Sequence, residues 1–160
     1  MGSQDAETRC KVPMRYKEMH GKDLVALMKS ECGKRPFGQA LQYLAADPVT
    51  AECMMINKAC QGVGTNELLL FTIMCGRTNV EMELLKKKYF NVYDKDLGRV
   101  LDSELGGGLE ALIMNVLQAA QEDFDPEFHN EDKVKKDIAE LHDHGIGSWG
   151  TNEKGKADLT

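Results

Sequence analysis

Apolar positions recur along this chain at intervals of three and four residues, and no stretch alternates convincingly at period two. The chain therefore reads as all-α, with short helices joined by tight loops. The helical pattern starts at Arg15; Leu24, Leu27 and Met28 share one face, and Gly33 ends the segment. Phe37, Ala40, Leu41, Leu44 and Ala45 mark the next face, with Pro36 in the first turn. Asp47-Pro48 is a helix start, a cap followed by proline at the first helical position. Val49, Cys53, Ile56 and Cys60 follow as a stripe that stops at Gly62. Thr65 is placed to cap a helix whose apolar run is 68–74, and residues 76–79 break that run. Asn79 is placed to cap a helix with Met82, Leu85, Tyr89 and Val92 inward, and Leu97, Val100, Leu101 and Leu105 mark another. After the three glycines of 106–108, Leu109, Leu112, Ile113, Val116, Leu117 and Ala120 form the most regular stripe of the chain. Residues 1–14, polar and carrying Pro13, are expected to be a flexible arm, and 121–130, acidic with Pro126, a linker. A last helix is predicted over 131–142, running into a second glycine-rich stretch at 145–153.

Composition narrows the class. The 160 residues suffice for one domain with a core, and 42% hydrophobic with 29% charged residues is the balance of a soluble globular protein. A net charge of −6 opposes passive attraction to nucleic acid or anionic lipid, so an acidic surface is reached only through an intervening cation. The cysteines, Cys10, Cys32, Cys53, Cys60 and Cys75, are odd in number and form no CxxC pair, which is expected of reduced thiols in an intracellular protein. Residues 1–5 carry no apolar signal region, Ala6 stands where a myristoylation signal needs Ser or Thr, and no apolar run approaches the ~20 residues of a membrane span.

The candidate chemistry centres on residues 62–67, Gly-Val-Gly-Thr-Asn-Glu. Glycine tolerates the backbone angles of a turn that leaves carbonyls pointing outward in one arc. Taken alone, the stretch supports two readings, a helix C-cap followed by an N-cap or a cation loop. Carbonyls by themselves hold a cation weakly, and the candidate carboxylate is Glu104. Other stretches carry less. His142 and His144 lie at i, i+2 on a helix end, where side chains point apart, and no third ligand is evident. Residues 145–150 have the glycine spacing of a P-loop, but Thr151-Asn152 stand where phosphate chemistry needs Lys-Ser/Thr. Lys86, Lys87 and Lys88 read as a solvated helix face, and Arg77 as a helix C-cap or the partner of a buried acid. No nucleophile–base pair stands out, so the sequence makes no case for an enzyme.

The chain repeats itself. Tyr16-Lys17, Lys22-Asp23-Leu24 and Ser30-Glu31 return 73 residues later as Tyr89-Phe90, Lys95-Asp96-Leu97 and Ser103-Glu104. Gly64-Thr65-Asn66-Glu67 returns 86 residues later as Gly150-Thr151-Asn152-Glu153. The ordered set G-x-G-T-N-E, G-R-T-N, Y-x5-K-D-L and S-E-L, with 38 residues between Thr65 and Glu104, resembles the annexin repeat. The Ser-Trp-Gly-Thr form of the second loop resembles the third of four such repeats. The resemblance implies a repeat of five short helices in a right-handed superhelical bundle. It divides the chain into the arm (1–14), the last helices of one repeat (15–46), a complete repeat (47–120), the linker (121–130) and the start of a further repeat (131–160). A truncated or excised piece of a four-repeat protein is expected.

What the resemblance implies for function is a calcium loop. The carbonyls of Cys60, Gly62 and Gly64 and the carboxylate of Glu104 would hold Ca2+, with water or a lipid phosphate completing the shell. For the Thr65 carbonyl with Glu67, a weaker second ion and a plain capping carboxylate both stand. The carbonyls of Gly145, Ser148 and Gly150 would form a half-site whose acid lies beyond Thr160. Trp149 is either a partly buried loop aromatic or a membrane anchor. Glu31, whose loop the chain lacks, is expected to be a solvated carboxylate. The implied function is calcium-dependent binding to anionic phospholipid membranes, from a cytoplasmic protein that becomes peripheral at membranes when calcium rises. No nucleic-acid partner is expected, and self-association through exposed repeat faces is. The alternative is a structural scaffold of the alpha-giardin kind, with cytoskeletal partners.

Overall fold

Polar residues just ahead of the apolar stripes start most of the helices. Asp5, Asp23, Asp47 and Asp96 each accept a bond from the backbone N–H three residues on, which satisfies one of the orphan donors of a first turn. In this computed structural model, which describes residues 4–33 and 35–144, they open α1 (Ala6–His20), α2 (Leu24–Cys32), α4 (Pro48–Ala59) and α7 (Leu97–Glu104). The other helices are α3 (Pro36–Ala45), α5 (Glu67–Met74), α6 (Asn79–Tyr93), α8 (Gly107–Leu117) and α9 (Glu131–His144). The described residues contain no strand, and the chain is all-α.

The main core belongs to α4 through α8. Cys53 and Ile56 of α4, Leu70 and Met74 of α5, Met82, Leu85 and Tyr89 of α6, Leu101 of α7 and Ile113 of α8 are essentially solvent-free. Burying a side chain of this size contributes about 1.5–3 kcal/mol. Helices α1, α2 and α3 pack on one another, and α3 joins them to α4. Arg77 makes both of its expected contacts. Its Nε donates to the Ile73 carbonyl at the end of α5, and its guanidinium pairs with Glu52 of α4 at 2.6 Å.

Several expectations are corrected. The flexible arm placed over 1–14 is helical from Ala6, because Asp5 caps that helix and Pro13 removes only one bond from a turn that packs on α2 and α3. The starts of α1 and α6 are 73 residues apart, so the repeated unit reaches upstream of Arg15. Phe37 is 73% exposed and Ala40 is also exposed. Helix α3 buries Ala45 as expected but also turns Gly38 and Gln42 inward, and the amide nitrogen of Gln42 donates to the carbonyls of Gly33 and Gly38. Val92 is exposed because Tyr89 and Tyr93, with ring centroids 4.9 Å apart, take the inward positions at the end of α6. Asn66 rather than Thr65 caps α5, and Thr78 rather than Asn79 caps α6, in a reciprocal capping box with Glu81. Lys86 and Lys88 are half-buried rather than solvated. Lys86 donates to the Leu117 carbonyl and Lys88 pairs with Asp47. The predicted end of the last helix moves from 142 to His144, and no described residue of α9 is buried.

Candidate calcium loop

The loop is fixed from both ends. Ala59 is buried at the end of α4, and its carbonyl accepts a bond from the Asn66 N–H at 3.0 Å, closing residues 60–65 into a tight excursion. Asn66 then turns its side chain to the Leu69 N–H and starts α5. Between these anchors Gly62 has φ +110° and Gly64 φ +83°, left-handed conformations that favour glycine. Among the described residues no backbone N–H bonds to the carbonyls of Cys60, Gly62 or Gly64, whereas those of Ala59 and Thr65 are both engaged. Three oxygens therefore remain for an outside electrophile. Val63, between the glycines, is fully exposed at the apex.

Glu104 arrives from α7. Leu97, Leu101 and Leu105, spaced at i, i+4 and i+8, are buried in the core and pin that helix. Glu104, one residue before the last anchor, is carried on the outer side and remains exposed. The Thr65 hydroxyl donates to the Glu104 carboxylate at 2.9 Å, and the Glu104 carbonyl oxygen lies within reach at 3.2 Å. The structure thus brings the acid to the loop across 39 positions of sequence. The electrostatics agree with that placement. Burial pushes the Cys60 thiol up to about 11, and the Glu104 charge adds to the shift. Tyr89 is pushed up to about 12, by burial first and in small part by the same carboxylate.

This donor set suits a hard cation. Ca2+ takes six to eight oxygens, carbonyls and carboxylates among them. Among the described residues no group of three or more His, Cys, Asp or Glu side chains is arranged around a common point. The residues present fit Ca2+: three uncommitted carbonyls and one held carboxylate. Glu67 is exposed in the first turn of α5, where its charge suits the helix end, and its N–H bonds to the Thr65 carbonyl at 3.1 Å. The two groups named for a second ion are therefore adjacent, with the carbonyl already accepting one bond. Sequence reasoning missed the Thr65 hydroxyl as the link to Glu104, and Val63 as an exposed apolar apex. The glycine on each side of Val63 was the available signal for the latter.

A sequence-family model described as Annexin matches residues 51–116, the span that holds the loop, Thr65 and Glu104. Annexin A13 of the dog, Canis lupus familiaris, is 31% identical over 153 residues, covering 96% of this chain and 48% of that protein. The solved structure titled annexin III superposes with a TM-score of 0.82 at 25% identity, over 98% of this chain and 48% of that one. The chain belongs to the annexin family. It spans about half the length of these relatives. The calcium-bound structure of alpha-14 giardin also superposes, with a TM-score of 0.74, 98% of this chain and 50% of that one covered, and at 18% identity it shows the fold alone.

The rest of the annexin pattern is less complete. Glu31, the counterpart of Glu104, is exposed near the end of α2. His142 and Asp143 approach only to 3.5 Å. Gly145, Ser148, Trp149 and Gly150 lie outside the described residues.

Proposed function

We propose that this annexin chain attaches to anionic phospholipid surfaces in a calcium-dependent way. The carbonyls of Cys60, Gly62 and Gly64 and the Glu104 carboxylate would hold Ca2+. The ion would supply the positive charge that a chain of net charge −6 lacks, leaving part of its shell to a lipid phosphate. The observation that carries the reading is the Thr65–Glu104 hydrogen bond, which joins the glycine loop to the only side-chain anion in the proposed donor set. Thr65 with Glu67 forms the proposed weaker site, and Gly145, Ser148 and Gly150 the proposed half-site, with Trp149 beside it. The activity is binding rather than catalysis, in a protein that is cytoplasmic at low calcium and peripheral at membranes when calcium rises. No helix among the described residues is long and apolar enough to cross a membrane, in keeping with attachment from one side. Self-association through repeat faces belongs to the same reading, supported by exposed Phe37 of α3 and exposed Val134, Ile138 and Leu141 of α9.

Vesicle sedimentation tests it. Vesicles of phosphatidylcholine with phosphatidylserine should pellet the chain with calcium and release it to a chelator, and Glu104→Gln should remove most of the calcium-dependent fraction. Equal pelleting of the two proteins would refute the assignment.

A further inference from the structure

A cavity of about 400 Å³ lies where α2, α3, α4 and α6 meet. Its walls include Lys29 of α2, Gln42 and Tyr43 of α3, Lys58 of α4, Gln61 at the start of the glycine loop, and Tyr93 of α6. No carboxylate lines it among the described residues. Lys86, Lys88, Lys133, Lys135 and Lys136 each lie against a carboxylate. Lys29 and Lys58 have no such partner among the described residues, so two ammonium groups border one cavity in an acidic chain.

The neutral groups point the same way. Burial raises the phenol of Tyr43, and burial, with Cys53 and Tyr43 beside it, raises that of Tyr93. Both hydroxyls therefore stay protonated donors through the physiological range. One wall is firm, because Gln42, which lines the cavity, is 8% exposed and its amide nitrogen is tied to the carbonyls of Gly33 and Gly38. Two cations and two hydroxyl donors, with no carboxylate to repel a guest, match a group carrying close to two negative charges and several acceptor oxygens.

We propose that this cavity binds a phosphate monoester, with Lys29 and Lys58 supplying the charge and Tyr43 and Tyr93 the neutral hydrogen bonds. The phosphate belongs either to a soluble molecule or to a lipid headgroup, since Gln61 sets the cavity beside the calcium loop. None of these residues is a proposed calcium donor, so the site works with calcium removed and stands apart from the calcium reading.

The test is calorimetry of the 160-residue chain in a chelator, with inorganic phosphate and glycerol 3-phosphate as probes. Saturable binding is expected, weakened about tenfold by Lys29→Gln and by Lys58→Gln, as loss of one charge-assisted contact implies. Binding should be unaffected by Lys87→Gln, an exposed lysine outside the cavity. A parallel arm uses phosphatidylcholine vesicles with and without phosphatidic acid in the same chelator. Retention by the phosphatidic acid vesicles that Lys29→Gln and Lys58→Gln abolish assigns the site to a headgroup. Binding of the soluble probes alone assigns it to a free phosphate. Absence of saturable binding in both arms overturns the proposal. So does binding that Lys87→Gln weakens as much as the cavity substitutions, which would mark general charge attraction.

Discussion

Thr65 couples the glycine loop to α7 through one hydroxyl, and that makes it the sharpest probe of the site after Glu104 itself. Thr65→Val keeps the shape and removes the donor, freeing the Glu104 carboxylate to swing. Calcium affinity should fall about tenfold, the scale of one charge-assisted hydrogen bond, while Thr65→Ser should restore it; unchanged affinity in the valine variant would show that α7 alone positions the acid. The spacing of Thr65 and Glu104 was legible in the sequence, but their hydrogen bond was not. It depends on where Leu101 and Leu105 pin the end of α7 and on Asn66 taking the capping role assigned to Thr65. Asp47 offers a pH test. Burial pushes its carboxyl up, but hydrogen bonds from Thr50 and the approach of Lys88 outweigh this and leave it below its ordinary value. A depressed carboxylate contributes stability above its unfolded value, lost as pH falls through the folded one. Asp47→Asn, which still caps a helix, should therefore lower Tm at neutral pH and leave it unchanged in acid, as thermal scans across that range would show.

At the scale of elements, the close approach of α2 and α3 shows where periodicity misleads. A Cβ on Gly38 would come within 2.4 Å of the carbonyl oxygens of Cys32 and Gly33, so the backbones meet at a position that admits no side chain. The helix is rotated to suit that contact, which puts Gln42 inside and Phe37 outside, against the apolar stripe. Gly38→Ala should destabilise the chain by about 2 kcal/mol, a typical overpacking cost, measurable as a drop in the urea midpoint. An unchanged midpoint would mean that the two helices separate freely. Most positions of the α4, α6 and α8 stripes were readable because they face a core shared with four other helices, whereas Val92 and Ala120, counted into those stripes, are exposed, and Ala120 lies beyond the end of α8. The part of α1 ahead of Arg15 was not readable as a helix, because its polar residues and Pro13 mask a pattern that packing on α2 and α3 completes.

At the scale of the whole molecule, the 73-residue recurrence was the strongest signal, since it returned the order of helices as well as single residues. It set α1 and α2 in register with α6 and α7, and it made Glu104 meaningful where one exposed glutamate is not. The recurrence does not carry how far the proposed calcium loop is assembled by the fold alone. The folded chain shows its ends tied, its glycine angles set and its acid held against Thr65. Calcium titration by calorimetry tests this most directly, comparing the unaltered chain with Glu104→Gln in the absence of lipid. The unaltered chain should show saturable binding that the glutamine variant loses or weakens at least about tenfold; indistinguishable isotherms for the two proteins would contradict the assignment of the loop and Glu104 to one site.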